Sequence, residues 1–246
     1  MNTEELNSLF QSGLANDLFM SQIHYFVFRT LGENHERINT LDDKEQKQHL
    51  IYLQFSSHDL SIQYLARVFD KRMKYETSSL ALILEKCREI KLKDFLLILE
   101  YEHLNNDLQP YPAINHLEEV SGIKIGVKEI GKPEILFDWI KSILETEKIN
   151  NAIIQLKTVR DKFIAHNELN SGIEALDDFW SGYALLIKIG RLMTSLLSEI
   201  FTDTIYDHSV TIRPDEINMN VLLEVNWLIE YLEKILGRDS VTAWWE

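Results

Sequence analysis

The sequence predicts an all-α protein, and three observations carry that expectation. Only 9 Gly and 4 Pro are spread over 246 residues, which leaves little chemistry for turns. Apolar residues recur every three or four positions over long stretches, the period of a helix face. The few Gly, Pro, Asn, Asp and Ser clusters fall between those stretches, where helices start and stop.

The first helix runs from Thr3 to about Leu31. Its apolar stripe is Leu6, Leu9, Phe10, Leu14 and Leu18, then Ile23, Phe26 and Val27, and Gly32-Glu33-Asn34 stops it. Leu41-Asp42-Asp43 is a capped entry to a second helix running through Arg72, with Leu50, Leu53, Leu60, Tyr64, Leu65, Val68 and Phe69 on its stripe. Thr77-Ser78-Ser79 caps a short third helix that ends near Cys87, and residues 92–108 make a fourth, ended by Pro110 and Pro112. Residues 110–133 are the least regular part. Gly122, Gly126, Gly131 and Pro133 fall there, and the segment is open to three readings: an ordered insertion, a small hairpin or a lobe boundary. Helical pattern resumes from Glu134 to Ala165 with a break near Glu147, and 167–172 forces a turn. Two further helices follow, Ile173 to Phe201 and Pro214 to Leu236. Pro214 suits a first helical position and Gly237 a C-terminal stop. Trp244 and Trp245 point to docking on the body of the protein or on a partner.

The bulk properties exclude several classes. A net charge of −14 is the wrong sign for coating DNA or RNA, which demands clustered Lys and Arg, so broad nucleic-acid binding is not expected. A site for one scissile phosphate is compatible with that charge, because the local field governs it. The same charge disfavours an anionic membrane surface. No apolar run approaches the roughly 18 residues of a membrane span. The opening MNTEELNSLF lacks the plan of a signal peptide, so a cytoplasmic location is expected. Cys87 is the single cysteine, which excludes an internal disulfide and any multi-cysteine metal site. No phosphate-cradling Gly loop is present, so nucleotide hydrolysis is not expected, and no cofactor is expected.

The stretch VRDKFIAHNE, residues 159–168, concentrates the candidate chemistry. Arg160, Asp161, Lys162 and His166 line one helix end, with Val159, Phe163 and Ile164 as its apolar anchor. Spacing alone is weak: RTLGENH repeats it from Arg29 to His35, across Gly32 and into a polar turn. Six residues of regular helix rise roughly 9 Å and leave two side chains about 120° apart. Arg160 and His166 of one chain therefore converge poorly, whereas two copies about a two-fold axis can converge, so the site is expected at a homodimer interface.

The RDKFIAH segment at a helix end of an all-α chain resembles the signature of the HEPN superfamily, and LARVFDKRMKYETSSLALIL, Leu65 to Leu84, resembles its U-type abortive-infection family. The resemblance covers much of residues 45–205. It implies a HEPN-like bundle of long antiparallel helices, one domain over 1–246 with its core at about 45–205 and the helices 3–31 and 214–236 packed on it. It also implies a homodimeric, metal-independent ribonuclease of phage-defence or toxin type, with RNA as substrate and an antitoxin protein as partner. Arg160 and His166 take the catalytic positions of the motif and Asp161 its polar position. Lys162 is read as a solvated group or a substrate steerer, and Asn167 as a second substrate contact. Glu168 stands where some members carry a modified Tyr, so that antitoxin mechanism is not carried over.

The chemistry matches these residues. Histidine titrates nearest neutrality and suits proton transfer, contributing ~10²–10⁴ in rate. A permanently charged guanidinium suits charge developing on phosphate oxygens. Asp161 orients either of the two or pairs with Lys157 or a nearby base. A requirement for the 2′-hydroxyl restricts cleavage to RNA. Arg67 and Asp70 are read first as an intrahelical or interhelical ion pair. His58-Asp59, and His103 with Glu100 and Glu102, lack ligand spacing and are read as polar groups facing solvent. His24 is read as partly buried structure. The alternative to the enzyme is a non-catalytic helical module for interaction or ligand binding, in which the same residues hold an interface.

Overall fold

The computed structural model describes residues 3–70, 79–88, 112–125, 133–165, 179–202, 219–237 and 241, and all that follows concerns them. In chain order the helices are α1 (Thr3–Leu9), α2 (Asn16–Glu33), α3 (His35–Asn39), α4 (Lys44–Val68), α5 (Leu80–Arg88), α6 (Pro112–Ser121), α7 (Pro133–Leu144), α8 (Glu147–Val159), α9 (Phe179–Thr202) and α10 (Met219–Leu236). Two π-helical turns interrupt them: π1 (Phe10–Ala15), joining α1 to α2, and π2 (Arg160–Ala165), continuing α8. No strand occurs among the described residues. The protein is an all-α bundle.

Its frame is the antiparallel hairpin of α2 and α4. Contacts step down the pair in register: Asp17 with Arg67, Ser21 with Ser61, His24 with Tyr64, and Phe28 with His58. Local chemistry fixes the hairpin's turn. The Asn34 amide donates to the Thr30 carbonyl at 2.8 Å and closes α2. Asp43 caps α4 by accepting from the backbone N–H groups of Glu45 and Gln46 at 3.0 and 3.1 Å.

Two apolar clusters sit on this frame. The larger joins Leu6, Phe10, Leu14 and Leu18 to the C-terminal half of α4 and to α5 through α9. The N-terminal helix thus enters the main core rather than lying over it. The smaller cluster packs Val221, Val225, Leu228 and Leu232 of α10 against Phe26, Val27, Leu31 and Leu50. Deep in the interior the Ser21 hydroxyl donates to the Ser61 carbonyl at 2.9 Å and lies 2.6 Å from the Tyr183 hydroxyl, tying α2, α4 and α9 together. Gly190 permits the close approach of α9 to α2, since a Cβ there would lie 2.8 Å from Leu18 Cδ2.

Several boundaries differ from the sequence expectation for definite reasons. Residues 112–121, expected to be irregular, form α6, with Pro112 at the first helical position where a missing N–H costs nothing. The glycines follow it: Gly122 stands at φ 74°, ending the helix. α4 ends at Val68 rather than Arg72, with Phe69 leaving helical geometry at its cap. The break near Glu147 is present between Leu144 and Glu147, and Gly237 stops α10 at φ 93°. The expected helix over 92–108 and the tryptophans Trp244 and Trp245 lie outside the described residues.

Candidate active site

Arg160 stands where α8 opens into π2. The buried positions of α8, Ile149, Ala152, Leu156 and Val159, form the stripe that holds the helix on the core. Arg160 follows the last of them, so its side chain leaves the core edge and reaches the end of α4. Asp70 waits there, two residues past Val68, its backbone N–H bonded to the Arg67 carbonyl at 3.3 Å.

The contact is close and specific. Arg160 Nη1 donates to both Asp70 oxygens, at 2.8 Å each, and Nε donates to Asp161 Oδ1 at 2.7 Å. The Arg160 and Asp70 side chains are 21% and 14% exposed, Asp161 59%. Burial alone lowers the guanidinium pKa, but the hydrogen bonds and charges of Asp161 and Asp70 outweigh it and raise the value. Nη2 makes no hydrogen bond among the described residues. The fork is thus fixed on two of its edges and keeps one arm unspent.

The other expected residues fall as follows. Asp161 orients Arg160 and not a more distant base. Lys162 is exposed, one residue further along π2. His166 and Asn167 lie outside the described residues, as do the side chains of Phe163 and Ile164. The π turn replaces the regular helix assumed between Arg160 and His166. Its wider i→i+5 winding means the 120° separation worked out for 3.6 residues per turn does not apply.

Asp70 is the partner that spacing did not reveal. Arg67 and Asp70 do not pair with each other: Asp70 crosses to Arg160, and Arg67 Nη1 lies 3.7 Å from Asp17 Oδ1. The interhelical version of the ion-pair expectation holds for both. The signal available in sequence was an Asp placed just beyond a helix end. Nothing in the sequence said that position 160, ninety residues on, would meet it.

Elsewhere, His58 Nδ1 lies 2.9 Å from Asp59 Oδ1, and its ring packs edge-on against Phe28 and Trp180. His24 stacks on Tyr64 with rings 5.7 Å apart, and burial lowers its pKa. In the second Arg–His instance, Arg29 pairs within its own helix with Glu33, a contact unlike that of Arg160. Among the described residues no three His, Cys, Asp or Glu side chains gather to hold a metal. No helix among the described residues is long and apolar enough to cross a membrane.

Fold and site together define an all-α bundle in which one arginine is clamped between two carboxylates at the junction of α4 with α8 and π2. No protein-family model, no curated protein and no solved structure matches the chain.

Proposed function

We propose that the chain is a metal-independent endoribonuclease of phage-defence or toxin type, acting as a homodimer through Arg160 and His166. The observation that carries this reading is the fixed guanidinium: Asp70 and Asp161 hold Arg160 by Nη1 and Nε, and Nη2 makes no hydrogen bond among the described residues. A preorganised cation of this kind stabilises charge on a phosphate without reorganising during the reaction. The π turn that carries it ends at Ala165, immediately before His166. Such turns recur at functional sites.

In the proposed reaction the ribose 2′-oxygen loses its proton to an imidazole and attacks phosphorus. The bond from phosphorus to the 5′-oxygen breaks, and the leaving oxygen takes a proton. The two proton transfers fall on opposite sides of the phosphorus, one imidazole for each. Each chain contributes one His166, which is the chemical reason for two copies. Arg160 faces the non-bridging oxygens, and Lys162 and Asn167 contact the strand. A toxin of this type has an antitoxin protein as its partner.

A second reading is favoured by the same contact. Two carboxylates within hydrogen-bonding distance of Arg160 cancel its charge, as a structural clamp between α4 and π2 requires. On that reading the protein is a non-catalytic helical module. Purified protein incubated with total RNA and a chelator, beside His166→Ala, separates the two. Cleavage that disappears in a folded His166→Ala protein supports the enzyme. Cleavage unchanged by the substitution, or none in either protein, leaves the module.

A further inference from the structure

We propose that Arg67, carried on the ring of Tyr64, is the contact for the RNA strand beside the Arg160 site; this rests on the ribonuclease reading above. The two arginines at this end of the bundle are held very differently. Arg160 is spent on short hydrogen bonds to Asp70 and Asp161. Arg67 makes no hydrogen bond among the described residues. Its anion, Asp17 Oδ1, is 3.7 Å away, beyond hydrogen-bonding range, and its side chain is 51% exposed.

Besides its ion pair with Asp17, Arg67 rests on a ring. Its Cζ lies 5.0 Å from the centroid of Tyr64, and Tyr64 is itself stacked on His24, with planes 7° apart. A guanidinium laid on an aromatic face keeps its edge donors for phosphate oxygens, and its outer face remains open for a base to stack on. The side chain reaches back along α4 to the level of Tyr64. That is four residues, or roughly 6 Å along the axis, before α4 ends at Val68, and Asp70 follows two residues later. Asp70 marks the position of Arg160, so the two guanidiniums are spaced for one strand: Arg160 at the scissile phosphate and Arg67 at a neighbouring nucleotide. Lys162, exposed on π2, adds a third cation near the same end.

The bland role for Arg67 is to complement the C-terminal end of α4 and the buried Asp17. That role moves stability and leaves RNA affinity alone. The test therefore measures affinity. A single-stranded RNA oligonucleotide is titrated in chelator against His166→Ala protein, which binds without cleaving, and against the same protein carrying Arg67→Gln or Arg67→Lys. Arg67→Gln is expected to weaken binding about 10-fold or more, the worth of one charge-assisted contact. It is also expected to flatten the slope of log affinity against log salt by about 0.7, one phosphate contact on a single strand. Arg67→Lys keeps the charge, so it restores the slope but not the full affinity. In otherwise unaltered protein the loss falls on KM rather than kcat. Pairing Arg67→Gln with Asp17→Asn removes the uncompensated carboxylate and keeps the fold testable. If the parent cleaves and folded Arg67→Gln binds with unchanged affinity and slope, this inference is overturned alone. A parent that neither binds nor cleaves the oligonucleotide overturns the ribonuclease reading together with it.

Discussion

Removing the Asp70 carboxylate tests the clamp most directly. Asp70→Ala deletes the acceptor of two 2.8 Å contacts from Arg160 Nη1, at side chains 21% and 14% exposed. A charge-assisted hydrogen bond contributes ~1.5–3 kcal/mol, and both contacts come from one nitrogen, so they count as one strong interaction. Breaking a fully buried pair costs about 3–5 kcal/mol. This cost is smaller, because Asp161 still bonds Nε and water reaches the site. The expected loss is about 2 kcal/mol. For a chain of this length that lowers the melting midpoint by roughly 4–8 °C. Asp161→Ala is the internal control. Its carboxylate is 59% exposed, so it is expected to cost under about 1 kcal/mol. Urea unfolding of Asp70→Ala, Arg160→Ala and the double variant closes a cycle, with a coupling of about 1.5 kcal/mol expected. Additive losses, within about 0.5 kcal/mol, would refute the clamp, as would Asp161→Ala proving the costlier of the two.

Tyr183→Phe removes the hydroxyl 2.6 Å from Ser21 and is expected to cost about 1–2 kcal/mol in urea unfolding; no loss means the buried network does not bind α9 to the hairpin. Asp17 has its pKa raised by burial, with Arg67 opposing. Between pH 3.8 and the folded pKa the folded state therefore binds more protons than the unfolded one, and stability falls as pH rises through that window. Asp17→Asn should flatten that part of the stability–pH curve, and an identical slope in the variant contradicts the assignment. Arg191 has its pKa lowered to about 10 by burial, and its hydrogen bond to Gln22 Oε1 is long, 3.5 Å. Arg191→Met is expected to match or exceed the parent in stability, and a loss beyond about 1 kcal/mol shows a stronger partner for the guanidinium.

The helices were legible because their causes are local. Asp43 caps α4, Ser79 accepts from Leu82 N–H at the start of α5, and Gly237 takes a positive φ after α10, each a property of a few neighbouring residues. The π turns were not legible. Phe10–Ala15 and Arg160–Ala165 carry apolar spacing that fits either winding, and tertiary packing selects the wider one. α6 was hidden because Pro112 and the glycines after it signal turns as readily as they signal a helix start and stop. The site was half legible. Position 160 stands out as an arginine beside an acid at a helix end. Asp70 enters only when the fold brings the end of α4 against π2.

Arg160 and Lys162 balance Asp70 and Asp161, so the cluster is formally neutral inside a protein of net charge −14. On the ribonuclease reading, such a charge gives RNA no long-range steering, and global repulsion opposes its approach. Affinity for a strand must then come from contacts that act at short range: a donor arm left unspent, a guanidinium on an aromatic face, a stacked base. Arg160 Nη2 supplies the first and Arg67 on Tyr64 the second. On the ribonuclease reading, such a site discriminates by fit rather than by charge. Asp70 fits that reading, because it lowers the site's general attraction for anions while holding Arg160 in place.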